Sequence, residues 1–181
     1  RAEINGRKMN NDELLGYATN FFLGGLDTVT ANLGNHVRHL ATNLEHQRQL
    51  RENPKLIRGA IEELMRAFAA VSTYRVCAKE TTVRGVTIKP GDKIAMITTL
   101  AGRDAREFDQ PHEIRLDRNP SHVSFATGPH HCLGVHLARR ELRIALEELL
   151  SAIPEFRVDE SAAISSLVGG ITQPKSLPLV W

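Results

Sequence analysis

The chain has 181 residues, 41% of them hydrophobic and 24% charged, proportions that predict a soluble globular protein. Lys plus Arg number 23 against 21 for Asp plus Glu, and a formal charge of +2 predicts no nucleic-acid partner, which would want a concentrated basic face. Two cysteines, Cys77 and Cys132, are too few for a disulfide-stapled secreted scaffold and fit a reducing, cytoplasmic setting with a thiol free for chemistry.

Residues 1–9 carry no apolar run of the signal-peptide kind. Asn10, Asn11, Asp12 and Glu13 then place capping side chains and acids ahead of an apolar-periodic run, predicting one long buried helix from 14 to about 43. Asn20, Asp27, Thr28 and Asn32 interrupt that run, so it is not a membrane span. Gly24 and Gly25 lie in its middle, each costing roughly 1 kcal/mol against Ala in a helix interior. Two readings fit them: close helix packing, or the approach of something flat to a loosened stretch of helix. Asp27 and Thr28 fall beside the same face, and a Thr hydroxyl can bond back to a carbonyl one turn earlier.

A short charged helix over 44–52 is ended by Asn53 and Pro54, and a third helix over 54–68 takes Pro54 in its first turn. It carries Glu63 and Arg66 on one face; an exposed pair of that spacing is worth less than about 1 kcal/mol. The period then changes to short strands over 75–78, 81–84, 86–88 and 93–97, with turns at Gly85 and at Pro90-Gly91. Residues 103–124 are polar and irregular, with Pro111 and Pro120, and a loop that long usually has a function. Helix returns over 134–152, with Leu137, Ile144, Leu146, Leu149 and Leu150 among its apolar positions. The tail holds a strand at 156–158, a Gly169-Gly170 turn and a closing apolar strand ending at Trp181. The predicted class is mainly α with small β elements.

Chemistry concentrates in residues 125–134, Phe-Ala-Thr-Gly-Pro-His-His-Cys-Leu-Gly. Cys132 sits in a glycine-flanked loop directly before a helix, where backbone N–H groups and the helix dipole favour a thiolate. Three uses compete with a plain buried cysteine. A nucleophile would take His130 or His131 as base, but nothing orients a third partner. A zinc site would draw on His130, Cys132 and His136, short of the usual four tightly spaced ligands. A thiolate axial ligand to haem iron is the third, and it alone also gives the two glycines a purpose.

The pattern Phe125-x-x-Gly128-x-His130-x-Cys132-x-Gly134 resembles the haem-binding loop of cytochrome P-450 monooxygenases. Glu63-x-x-Arg66 resembles that family's Glu-Arg pair, and Gly24-Gly25-Leu26-Asp27-Thr28 resembles its oxygen-activating groove. The similarity runs over essentially the whole chain and is greatest to soluble bacterial members of the camphor-hydroxylase type. It implies the C-terminal, haem-binding part of a single domain (long central helix, Glu-Arg helix, meander, Cys loop, proximal helix), with the N-terminal half absent from these 181 residues.

The resemblance implies haem b ligated by Cys132, with Phe125, Gly128 and Gly134 framing the loop, and propionates bound by His130 and Arg75. Gly24 and Gly25 would leave room for dioxygen and substrate. Asp27 and Thr28 would be the acid–alcohol pair that delivers protons. Glu63 and Arg66 would form a buried structural pair, joined by Arg118. Asn20, Leu23 and Val71 would line the pocket for a small apolar substrate. Electrons would come from NAD(P)H through an iron–sulfur ferredoxin and its reductase, the ferredoxin docking near Arg139 and Arg140. Cys77 reads as a small buried residue in a strand, and His112, His122, His131 and His136 match no family ligand. A peroxide-driven peroxygenase and a catalytically silent haem-binding fragment are the alternatives.

Overall fold

The computed structural model describes residues 2–181. A hairpin of β1 (Glu3–Ile4) and β2 (Arg7–Lys8) leads into α1 (Asn11–Leu26), α2 (Thr28–Thr42), α3 (Leu44–Glu52) and α4 (Ile57–Phe68), the last entered through a 3-10 turn at Pro54–Leu56. Next come β3 (Ser72–Val76), β4 (Thr81–Val83), β5 (Val86–Ile88) and β6 (Lys93–Ile97), then the four-residue α5 (Thr98–Ala101). After an irregular stretch, α6 (Val135–Ala152) precedes β7 (Arg157–Val158), β8 (Ser166–Leu167), β9 (Gln173–Pro174) and β10 (Leu179–Val180). All sheets are antiparallel pairs, β3 with β6 being the longest and β10 returning to β7.

The expected single helix over 14–43 is two helices joined at Asp27. The start is capped as the sequence predicts: Asn10 Oδ1 accepts from Glu13 N while Glu13 Oε2 accepts from Asn10 N, both at 2.9 Å. Its burial is a correction. None of the residues of α1 is buried, and Phe21, Phe22, Leu23 and Leu26 stand largely in the open, because no described element covers that part of the helix. The β1–β2 hairpin was also not foreseen, although Asn5 and Gly6, both at positive φ, are the signature of a two-residue type I′ turn. Cys77 lies just past the end of β3 rather than within a strand, and it is buried.

The core forms where α2, α3, α4 and α6 meet. Leu40 and Ala41, Leu50, Ile57, Ala60 and Ile61, and Leu142, Leu146 and Leu150 pack together around Phe156. The α4 positions recur at intervals of three and four, the stripe of a helix with one face inward. Leu137 and Ile144 of α6, expected among its apolar positions, stay exposed, since the helix turns its 135, 142, 146 and 150 stripe inward instead. Fully buried Gln47 ties the pieces by donating to Leu40 O and Phe156 O and accepting from Phe156 N at 3.1 Å.

Residues 103–124 have no regular ladder, so their carbonyls need other donors. Arg66 supplies them, donating to Gly102 O, Pro111 O and Glu113 O, while its other N–H groups make a two-point bridge to Glu63 at 2.7 and 2.8 Å. Both side chains are 0% exposed. Arg118 Nε reaches the same carboxylate at 3.0 Å and donates to Asp109 O, Gln110 O and Glu113 O. Burial alone would raise the Glu63 pKa, but the Arg66, Arg115 N–H and Arg118 contacts outweigh it and hold the group below the usual carboxylate range. Removing one partner of such a buried pair costs about 3–5 kcal/mol. Gly102 is obligatory at this joint, because a Cβ there would overlap the Arg66 carbonyl.

His36 on α2 is fully buried, and neither ring nitrogen has a partner among the described residues. Burial, aided by the nearby His39, lowers its pKa to about 3. An unfolded histidine titrates near 6.5, so between about pH 6.5 and 3 the unfolded chain binds the extra proton and folding weakens as pH falls. His36 should therefore remove about 1.4 kcal/mol of stability per pH unit in that window. Urea unfolding at pH 7.5 and 5.5 checks this: the midpoint is expected to drop, and His36→Leu to flatten the dependence.

Candidate functional site: the Cys132 loop and the Asp27 helix break

Residues 122–125 run against the end of α4 before the loop begins. Ser124 Oγ donates to Met65 O at 2.8 Å, and Ser124 N donates to His122 Nδ1 at 3.2 Å. The loop is then closed at its neck, where Cys132 N donates to Phe125 O at 2.8 Å. Ala126 (φ +57°) and Gly128 (φ +62°) turn the chain back within it, and a 3-10 turn at Gly128–His130 precedes the cysteine. Cys132 is a free, partly exposed thiol three residues before α6, and a Cβ on Gly134 would lie 4.0 Å from its sulfur. The helix start therefore lies beside the thiol.

A second group of expected residues lies at the break between α1 and α2. Thr28 Oγ1 donates to Gly24 O at 2.6 Å, one turn back, and Asp27 stands between the two helices with its side chain exposed. Apart from neighbouring residues and the helix's own backbone, no atom of the described residues lies within 4 Å of where a Cβ would stand on Gly24 or Gly25. The donated proton leaves the Thr28 oxygen free to accept. Asn32 braces the break, donating to Thr28 O at 2.7 Å and accepting from Ala70 N at 2.9 Å, which links α2 to the chain leaving α4.

The remaining expected residues are distributed as follows. Arg75 on β3 is exposed and donates only to the adjacent Tyr74 O, and His130 is exposed with no protein partner among the described residues. Asn20 and Leu23 share one open face of α1 with Leu15 and Thr19. Val71 is bridged to Ile171, and Ser72 N donates to Gly170 O at 2.8 Å. That contact brings the β8–β9 hairpin, with Val168 at its exposed tip, beside Val71; the Gly169-Gly170 turn signalled a hairpin but not its neighbour. Among the described residues His130, Cys132 and His136 do not gather into a three-ligand cluster.

Sequence reasoning missed Glu62. Its carboxylate accepts from Arg139 Nε at 2.8 Å, Arg139 Nη2 at 2.7 Å and His122 Nε2 at 3.1 Å. Burial would raise its pKa, but the His122 and Arg139 hydrogen bonds outweigh that and lower it to about 2. Arg139 was expected as a solvent-facing docking charge. Its side chain is 40% exposed, but its guanidinium is paired with Glu62 and lies over the Phe125 ring at 5.0 Å. A signal existed: position 139 falls on the inward stripe of α6, between Val135 and Leu142. Arg140 remains exposed and makes no ion pair among the described residues.

The family model for cytochrome P450 matches residues 1–163. The chain belongs to the cytochrome P450 family. It is 40% identical to a probable cytochrome P450 127A1 of Sinorhizobium fredii over all of this chain and 44% of that protein. It is 32% identical to a steroid C26-monooxygenase of Mycolicibacterium smegmatis over 99% of this chain and 46% of that one. Among solved structures, cytochrome P450 CYP101C1 superposes with a TM-score of 0.94 at 37% identity, covering 99% of this chain and 47% of that chain. The chain thus spans about half the length of the curated relatives it matches.

The P450 family carries haem b held by a cysteine thiolate, and the residues here fit that group. The thiol is free at a helix start, and Arg75 and His130 are donors without a carboxylate partner among the described residues. Ala126 occupies a left-handed conformation that costs an L-residue about 1 kcal/mol and that glycine adopts freely. Ala126→Gly is expected to stabilise the holoprotein by about that amount, raising its thermal midpoint; an unchanged or lower midpoint would show the loop to be unstrained there.

Proposed function

We propose that this chain is the C-terminal, haem-binding part of a single-domain monooxygenase. The whole protein inserts one oxygen atom from dioxygen into a small apolar organic substrate, with electrons from NAD(P)H by way of a ferredoxin and its reductase. The observation that carries the reading is Cys132, a free thiol in a loop closed by its own N–H on Phe125 O at the start of α6. The name of the steroid C26-monooxygenase relative supports an apolar organic substrate. The uncovered apolar side chains of α1 support a further part of the domain beyond these residues.

Haem bound at Cys132 supplies dioxygen binding and, through electron donation from the thiolate, O–O cleavage. The chain's own residues do the rest. Arg75 and His130 donate to the propionates. Gly24 and Gly25 present backbone only, so that small molecules fit beside α1. The Thr28 hydroxyl, its proton committed to Gly24 O, holds a water by its free lone pairs. Asp27, exposed at the break, takes protons from solvent and passes them to that water. Asn20, Leu23 and Val71 line the substrate side. Arg140 offers the free positive charge for an acidic ferredoxin. The acid–alcohol pair favours dioxygen over peroxide as oxidant, since a peroxide-fed enzyme needs no such relay.

In the full-length, haem-loaded protein, Cys132→Ser should move the absorption band of the reduced, carbon monoxide-bound form from the far-red thiolate position to shorter wavelength. A retained thiolate band would mean that another residue is the ligand. Thr28→Ala should divert reducing equivalents to hydrogen peroxide and lower product per NAD(P)H about tenfold or more. Thr28→Ser should largely restore it, and unchanged coupling in Thr28→Ala would remove the relay from Thr28.

A further inference from the structure

Glu62 and Glu63 are neighbours on α4 that hold different things. Glu63 secures residues 102–118, whereas the partners of Glu62 among the described residues are His122, in the segment that leads into the Cys132 loop, and Arg139, on the helix that follows it. The Glu62 side chain is 15% exposed and His122 only 2%, while Arg139, at 40%, keeps part of its side chain in solvent, so the carboxylate and the imidazole are the sheltered members of the cluster. Its geometry is specific at each point. Arg139 presents its planar fork to both carboxylate oxygens, the arrangement that fixes direction as well as distance. His122 accepts at Nδ1 from Ser124 N and meets Glu62 at Nε2, which defines one neutral tautomer with Nε2–H donating. The guanidinium oriented in this way covers the Phe125 ring at 5.0 Å, and the His122 ring flanks Phe125 at 5.9 Å. Phe125 in turn supplies the carbonyl that receives the Cys132 N–H.

We propose that Glu62 is a positioning residue for Cys132, holding the neck of the cysteine loop through Arg139, His122 and Phe125. The inference rests on Cys132 being the haem ligand. Loop residues 126–131 have no strand or helix to stiffen them beyond one 3-10 turn, and two of them turn at positive φ. A loop so built keeps a sulfur in place only if its neck is fixed, and Glu62 fixes it from the opposite helix. Loss of Glu62 leaves the fold's core packing untouched, yet frees the Arg139 fork and the Phe125 ring together. The thiolate ligand then becomes labile before the protein unfolds.

The test uses full-length, haem-loaded protein and compares Glu62→Gln, Arg139→Gln and the double variant with Arg48→Gln, which removes an exposed ion pair to Glu155 remote in sequence from the loop. The readouts are the decay of the thiolate band of the reduced carbon monoxide form in dilute urea, the iron–sulfur stretching frequency by resonance Raman, and helix content by circular dichroism. Both single variants are expected to speed the loss of the thiolate band about tenfold, as outer partners of metal ligands do, with a shifted stretching frequency and wild-type helix content. The double variant should be no worse than either single one, because the pair acts as a unit. Arg48→Gln should match the wild type.

Wild-type decay and stretching frequency in Glu62→Gln, or band loss that only follows helix loss, would overturn the proposal. Should Glu62→Gln fail to fold, Arg139→Lys carries the same comparison, because it keeps the charge and removes the fork on a side chain already 40% exposed. A wild-type holoprotein lacking any thiolate band would overturn the ligand assignment and this inference with it, whereas a normal wild-type band with unaffected variants would overturn the inference alone.

Discussion

The buried bridge between Glu63 and Arg66 is the constraint on which the rest of the architecture depends. Residues 103–124 form no helix or sheet, and a segment of that kind can lie against a core only if its carbonyls find donors. Two arginines provide them, and one carboxylate holds both arginines. The arrangement is expensive in desolvation and would be a poor way to gain stability alone. What it secures is a defined path for irregular chain, and that path delivers residues 122–125 to the end of α4 where the cysteine loop begins.

The same helix then carries the load one residue earlier. Glu62 and Glu63 point to different neighbours because successive helix positions are about 100° apart. One faces the irregular segment and the other faces α6 and the loop. A rigid helix with adjacent acids thus links the segment that leads to Cys132 with the helix that leaves it. The break between α1 and α2 is built on softer ground. The Gly24–Gly25 stretch and the Thr28 back-bond interrupt the helix at Asp27, and only Asn32 ties that break to the chain beyond α4.

Legibility in the sequence followed the range of the interaction. Capping at Asn10, the Asn53-Pro54 boundary, the turn at Gly85 and the course of α4 and α6 come from local chemistry, and the structure has them close to where the pattern places them. The Thr28 back-bond was also readable, because a Thr hydroxyl reaches only its own helix. The hairpin at Asn5-Gly6 was equally local and was overlooked. By contrast, the roles of Glu62, Arg139 and His122 depend on residues 60 and 77 positions apart. In the sequence each is an ordinary polar residue of a helix or loop.

The amino-acid sequence by itself determined the family through the spacing around Cys132, the helix boundaries, and the presence of an acid–arginine pair on one helix. Only the tertiary structure decided that Arg139 is engaged by Glu62 and that the tail hairpin lies beside Val71. The physical reason is that spacing along a helix dictates which side chains share a face. Whether that face meets solvent, a carboxylate or another segment is set by contacts between distant parts of the chain.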